Sequence, residues 1–309
     1  MENAKVATLS AGQQSEWDKL ANEGSTYTGG GKGGLFVPTI KLNNSDKVKV
    51  KTGVPLGNFI LSWKDNQVEK FEDLDTVLAG VILKTSYSIK NIYDPNGFVS
   101  FYSQEFDDFS NSRIKVKDGK TSEIIFSGSY KQWKETHQIV SSRGSKNDFI
   151  LVVHLYILQD TSAESPKVER LSISGKSMSN WFSYVSGDKE NNIVGIYSKG
   201  IKPHTHIHSF ESVEEKNPKG ETYWTIMFSS GDQLTIDQLR TVVALQRDLD
   251  KQLQSMRGNV AEYAGVAEEK KPIAAALSDC SCVPLVKDGV SVHTDDCKKN
   301  ELRLEDVPF

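Results

Sequence analysis

The chain has 309 residues, 37% of them hydrophobic, and its 37 basic and 41 acidic residues give a formal net charge of −4. This length permits a sizeable core in one or two domains, and the net charge gives no sign of nucleic-acid binding by the chain as a whole. The longest apolar runs, such as residues 149–153, are too short to cross a bilayer, and the polar residues after Met1 do not form a secretory signal, so we expect no membrane association and a cytoplasmic location.

The N-terminal segment, residues 1–34, is polar and ends in a run of five glycines and one lysine at 29–34. Glycine-rich polar sequence gains little from adopting one fixed conformation. The sequence therefore predicts a flexible N-terminal arm over residues 1–34.

Residues 35–257 carry a pattern of short strands. Alternating polar and apolar residues or short apolar runs recur throughout this stretch and are typical of half-buried and buried strands: 47–50, 113–116, 123–126, 148–158, 171–173 and 222–228. Turn-forming sequences separate them, for example at 94–97 and 217–220. We predict a mainly β body, an OB-like barrel or sandwich of short antiparallel strands.

One C-terminal α-helix is predicted at residues 236–256. Thr235 is a favourable N-cap, and Gln238 three residues later completes a capping box. The apolar residues of this segment fall mostly on one face, which favours a helix packed on the β body. Residues 258–279 mix Gly, Ala, Glu and Lys and are predicted to be a linker.

A group of metal-ligating side chains follows the linker: Cys280, Cys282, His293 and Cys297. Thiolate and imidazole groups are the usual ligands of a tetrahedral zinc ion, and residues 290–292 after a turn at 287–289 suggest a hairpin between them. We predict a zinc knuckle over residues 280–297, structural because four protein ligands leave no open position. The alternative is a set of free thiols in a disordered tail.

Three histidines alternate at His204, His206 and His208. On a strand their imidazoles would share one face, which is compatible with a metal-dependent barrel enzyme. The favoured interpretation is a polar face of an ordinary strand. Because the carboxylates and serines show no other catalytic spacing, we do not expect an enzyme.

Basic and aromatic residues are interleaved between residues 112 and 146. Single-strand binding proteins combine cations that follow the phosphates with rings that stack on bases. The predicted ssDNA-binding residues are Arg113, Lys115, Lys117, Tyr130, Lys131, Trp133, Lys134 and Arg143. Tyr102, Phe106, Trp181 and Tyr184 are further candidate rings, although burial in the β core is the alternative for most of them. For Trp133, flanked by lysine and polar residues, we predict exposure and stacking, with burial in the core as the alternative.

The C-terminal tail, residues 298–309, ends in Glu305, Asp306, Val307, Pro308 and Phe309. An acidic pair, a rigid proline and a terminal aromatic ring beside the carboxylate make a compact recognition peptide. This tip resembles the acidic Pro-Phe ends of bacterial and phage single-stranded DNA-binding proteins. The resemblance covers about five residues and implies docking of replication and repair proteins through Glu305, Asp306, Pro308 and Phe309.

These features together predict a non-sequence-specific single-stranded DNA-binding protein that coats DNA in replication or recombination and recruits partners through its tip. Two alternatives stay open: a β-sandwich assembly protein with a docking tail, and the histidine-metal barrel enzyme.

Overall fold

The structure is a computed structural model, and it describes residues 10–23, 37–65, 68–91, 100–110, 112–140, 148–161, 163, 166–257, 285–287 and 290–292. The chain divides into two compact units, residues 1–259 and 260–309.

The described residues form five α-helices and fourteen strands. The helices are α1 (Ala11–Glu23), α2 (Asp46–Thr52), α3 (Tyr130–Lys134), α4 (Gly175–Ser186) and α5 (Ile236–Arg257). The strands are β1 (Thr39–Leu42), β2 (Phe59–Asp65), β3 (Val68–Asp73), β4 (Val77–Asn91), β5 (Phe101–Ser103), β6 (Arg113–Asp118), β7 (Ile124–Ser129), β8 (Gln138–Ile139), β9 (Asp148–Leu158), β10 (Val168–Ile173), β11 (His206–Lys216), β12 (Thr222–Gln233), β13 (Leu285–Lys287) and β14 (Val290–Val292).

The first unit is built on one twelve-stranded mixed sheet. Its strand order is β3-β2-β1-β10-β9-β4-β5-β6-β7, with β11 pairing β4 and β12, and β8 pairing β9. The β1–β10 and β8–β9 pairs are parallel and the others are antiparallel. The predicted mainly β fold is confirmed. The predicted OB-like barrel is not confirmed, because the described strands form a sheet that does not close. The prediction of a single helix is wrong.

One face of the sheet carries the larger hydrophobic core. On β9, residues 151, 153, 155 and 157 alternate onto this core face and are buried. Trp133 of α3 and Trp181 of α4 pack into the same core, as do Phe210 of β11 and Ile226 of β12. Because β9 is also covered on its other face, its sequence is a continuous apolar run rather than an alternating one.

Helix α5 covers part of the opposite face. Its buried residues, such as Leu239 and Val243, pack with Val81 and Leu83 of β4 and with Tyr156 of β9. The predicted helix is confirmed, and so is its capping box. The Thr235 amide donates to Gln238 Oε1 at 2.9 Å, and the Gln238 amide donates to Thr235 Oγ1 at 3.3 Å.

The segment predicted as a flexible arm contains α1, which differs from the sequence-based expectation. Ala21 is buried, and the Trp17 indole donates to the Leu234 carbonyl at 3.3 Å. Helix α1 packs beside α5 in the same hydrophobic cluster. The apolar side chains of Trp17, Leu20 and Ala21 supply enough contact to order a helix within an otherwise polar stretch. Residues 1–9 and 24–36 lie outside the described residues.

In the second unit the structure describes a two-stranded hairpin. Leu285 pairs with Val292 and Lys287 with Val290 in antiparallel register, as the turn signal at 287–289 predicts. Among the described helices, none combines the length and the apolarity that a bilayer-spanning helix requires.

Candidate nucleic-acid interface

The face of the sheet opposite the larger core carries a grid of polar side chains, which we call the polar face. Directly paired residues on neighbouring strands, and alternate residues along one strand, project from the same side. The register therefore places these side chains on one face: Lys41 of β1, Arg170 and Ser172 of β10, His154 and Tyr156 of β9, Lys84, Ser86, Ser88 and Lys90 of β4, Tyr102 of β5, and Arg113, Lys115 and Lys117 of β6.

A single row across the polar face places an aromatic ring between two lysines. Lys90 is paired with Tyr102, and Tyr102 is paired with Lys117. Adjacent strands are about 4.8 Å apart, so the two lysine backbones lie roughly 10 Å apart with the tyrosine midway. Tyr102 is partly exposed, and within the described residues its ring makes no aromatic contact and its hydroxyl no hydrogen bond.

Strand β6 extends the row with two further cations. Arg113 and Lys115 share the outward side with Lys117, while Ile114 and Val116 are buried on the core face. The Arg113 Nε donates to Ser127 Oγ at 3.3 Å. Over the described part of the chain, none of these three cations forms an ion pair. The strand therefore presents three positive charges without a counter-ion among the described residues.

A buried carboxylate organises the middle of the polar face. Glu105 follows β5 and accepts hydrogen bonds from Ser86 Oγ at 2.6 Å, Tyr156 OH at 2.7 Å and Arg170 Nη1 at 2.8 Å. Burial alone would raise the pKa of Glu105, but His154, the two hydroxyl donors and Arg170 hold that pKa below its ordinary value. The carboxylate is thus ionised, and Arg170 is its ion-pair partner.

His154 lies next to this carboxylate and bridges two strands. Its Nε2 is 2.7 Å from Ser88 Oγ, and its Nδ1 is 2.9 Å from Ser172 Oγ. Burial lowers the pKa of His154 to about 4, with Arg170 and Lys90 acting in the same direction against Glu105. The imidazole is therefore neutral at pH 7 and contributes no charge to the face.

The two ends of the polar face differ. At one end, Lys84 Nζ lies 2.5 Å from Asp250 Oδ1 and 3.2 Å from Asp107 Oδ1, which attaches α5 to the sheet. At the other end, the row of Lys90, Tyr102 and Lys117 has no described helix packed on it. We call this part of the polar face its uncovered end.

The predicted exposure of Trp133 is wrong. Trp133 is 2% exposed and Tyr130 is 8% exposed, because both lie on the inner side of α3. The Trp133 ring contacts Phe101 and Phe126 edge-on and stacks on His137, whose ring centroid is 3.6 Å away. With 3.6 residues per helical turn, positions 130 and 133 lie on one side of α3, and positions 131 and 134 lie on the other. Neither predicted ring is available for base stacking.

The remaining predicted binding residues separate into two groups. Lys131 is exposed and Lys134 is partly exposed, but α3 packs on the core face, so both lie on the side of the sheet opposite Lys115 and Lys117. Arg143 lies outside the described residues. The structure thus brings Arg113, Lys115 and Lys117 together and separates them from Lys131 and Lys134.

Two predicted sites fall on residues that the structure does not describe. These are the proposed zinc ligands Cys280, Cys282, His293 and Cys297, and the proposed partner-binding residues Glu305, Asp306, Pro308 and Phe309. Both sites stay predictions.

The three alternating histidines take separate partners. His204 lies in a turn before β11, with its Nε2 3.1 Å from the Ala21 carbonyl. His208 lies between Tyr184 OH and the Pro203 carbonyl, each at 2.6 Å. His206 is half-buried beside Thr205. In the part of the chain that the structure describes, no three metal-ligating side chains gather.

Comparisons with models of protein families, with curated proteins and with solved structures gave no match to this chain.

Sequence reasoning missed Lys41, Lys90, Glu105 and His154. One usable signal was present, since residues 84–90 alternate lysine or serine with other side chains in the manner of a strand with one polar face. His154 was also visible as a polar residue inside the apolar run 148–158. The convergence of these residues depends on strand order, which the local pattern does not contain.

Proposed function

We propose that this protein binds single-stranded DNA, without sequence preference, on the uncovered end of the polar face. The row of Lys90, Tyr102 and Lys117 is the observation that carries the proposal. A tyrosine ring stacks on any base, and the flanking ammonium groups attract the phosphates on either side.

The arrangement favours a single strand over a duplex. Stacking on Tyr102 requires a base that is splayed out of its own stack, which is inexpensive in single-stranded DNA and costs pairing energy in a duplex. The cations of β6 continue the row along one side, so a strand crossing the face meets Lys117, Lys115 and Arg113 in turn. These contacts go to phosphates and carry no sequence information.

The proposed binding mode is similar to the way in which OB-fold proteins bind nucleic acid. OB-folds bind oligonucleotides on the face of a curved sheet and on its neighbouring loops. The proposed interface uses a sheet face of the same kind, and closure of the sheet is not required for it.

As its cellular role, we propose that the protein coats DNA in replication or recombination. The C-terminal tip would recruit replication and repair proteins. Its support is the sequence of Glu305, Asp306, Pro308 and Phe309 alone. A pull-down with the full chain and with a chain lacking Pro308 and Phe309 tests it, and identical partner sets would contradict it.

We also propose a structural zinc ion, bound by Cys280, Cys282, His293 and Cys297. Its support is likewise the sequence alone. Elemental analysis of protein purified without added metal should find about one equivalent of zinc. Cys297→Ser should release the ion and leave the first unit folded. Protein without zinc and with three freely reactive thiols would contradict this site.

The proposed DNA binding is tested with fluorescently labelled oligo-dT and a duplex of the same length. Affinity for oligo-dT should be the higher of the two, and its logarithm should fall linearly with the logarithm of salt concentration. Absence of oligo-dT binding at low salt would overturn the proposal in favour of an assembly protein. Loss of a bound metal together with a catalytic activity in a His206→Ala variant would instead support the enzyme alternative.

A further inference from the structure

Beside the uncovered end of the polar face, a neutral imidazole holds two serine hydroxyls. Ser88 Oγ is 2.7 Å from His154 Nε2, and Ser172 Oγ is 2.9 Å from Nδ1. A neutral imidazole has one N–H donor and one acceptor nitrogen. One serine therefore accepts a hydrogen bond from the ring while the other donates to it. The accepting serine keeps its own O–H, and neither serine side chain has another partner within the described residues.

The carboxylate of Glu105 decides which serine this is. Its Oε1 lies 4.0 Å from His154 Nε2, and its negative charge stabilises a proton on that nitrogen. We therefore assign the proton to Nε2, so that Nε2–H donates to Ser88 and Ser172 donates to Nδ1. The Ser88 O–H is left as a donor in need of an acceptor.

One cation lies near this donor. Lys90 follows Ser88 by two residues on the same side of β4, about 6.6 Å along the strand. Burial lowers the pKa of Lys90. Within the described part of the chain this lysine forms no ion pair. An ammonium group and a hydroxyl donor are a donor set that suits a phosphate oxyanion.

We propose that Lys90 and the Ser88 hydroxyl form a seat for a phosphate group, with His154 as the residue that positions Ser88. The chemistry is the same for a phosphate of a DNA strand and for a free phosphate. Assignment to a strand phosphate rests on the proposed function, since the seat adjoins the row of Lys90, Tyr102 and Lys117.

The ring-nitrogen NMR signals of His154 in ¹⁵N-histidine-labelled protein report on the seat directly. In the wild-type protein, inorganic phosphate and oligo-dT, titrated separately, should each shift these signals. Ser88→Ala and Lys90→Gln should abolish the phosphate-induced shift and lower oligo-dT affinity, by about tenfold for Ser88→Ala, which removes one hydrogen bond to a charged group. Lys131→Gln, on the opposite side of the sheet, should change neither the phosphate-induced shift nor the oligo-dT affinity. Thermal melting verifies that each variant is folded.

The outcomes separate the seat from the proposed function. Unchanged His154 signals with both ligands would overturn the seat, as would unchanged oligo-dT affinity in both Ser88→Ala and Lys90→Gln. A shift with inorganic phosphate alone, while oligo-dT binds by anisotropy, would support the seat and overturn its assignment to a DNA strand. Failure of the wild-type protein to bind oligo-dT would overturn the proposed function, and the inorganic phosphate titration would still decide whether the seat exists.

Discussion

Tyr102 of β5 lies directly opposite Lys117 of β6 in antiparallel register, so the ring and the ammonium group leave the same face of the sheet. Lys90 stands on the other side of the same tyrosine. This relationship joins three strands into one surface that combines a free ring with two cations, and the first prediction tests the ring.

Tyr102→Ala is expected to weaken oligo-dT binding by about 1–3 kcal/mol, because one base loses its stacking partner. Tyr102→Phe keeps the ring and should retain most of the affinity. Tyr197→Ala is the matched control, since Tyr197 is 57% exposed and lies away from the polar face. Fluorescence anisotropy measures all three, and equal affinity of Tyr102→Ala and wild type would remove Tyr102 from the interface.

Trp133 is expected to act on stability rather than on binding. Trp133→Ala should lower the free energy of unfolding by about 3–5 kcal/mol, as for other large aromatic side chains removed from a core. Trp133→Phe should cost less, because the buried indole Nε1 has no hydrogen-bond partner within the described residues. Urea unfolding measures both. A folded Trp133→Phe protein with greatly reduced oligo-dT affinity would restore Trp133 as a stacking residue.

Acid is expected to destabilise the first unit below about pH 6.5. Burial lowers the pKa of His154, of His204 and of His208 to about 4. Since each folded-state pKa lies below the ordinary value of 6.5, the unfolded chain binds protons more readily, and stability falls as pH falls from about 6.5 towards 4. Each histidine contributes up to about 1.4 kcal/mol per pH unit in this window.

A His208→Gln variant isolates one of these contributions. Glutamine keeps a donor for the Pro203 carbonyl but does not titrate. The slope of unfolding free energy against pH should therefore decrease by about 1.4 kcal/mol per pH unit, the value for one proton. Urea unfolding between pH 7.5 and pH 4.5 measures the slope. An unchanged slope would mean that His208 is protonated in the folded protein at the same pH as in the unfolded chain.

The sequence predicted those structural features that are determined by residues close together in the chain. The capping box of Thr235 and Gln238 fixed the start of α5, and the turn at 287–289 identified the β13–β14 hairpin. Helix α3 was misinterpreted because five residues are too few to display a helical period, so Trp133 between polar neighbours resembled an exposed ring. The polar face depends on pairing between strands that are distant in the chain, as with Lys41 of β1 and Arg170 and Ser172 of β10. No local pattern contains that information.

The most direct measurement of the central claim compares two double variants that remove the same charge from opposite sides of the sheet. Lys115→Gln with Lys117→Gln removes two positive charges from the polar face, and Lys131→Gln with Lys134→Gln removes two from the outer side of α3. For oligo-dT, we predict that the first pair reduces the slope of log affinity against log salt by about 1.4, the value for two lost phosphate contacts on a single strand, while the second pair leaves the slope unchanged. Equal reductions in both variants, or a reduction only in the α3 variant, would contradict binding on the polar face.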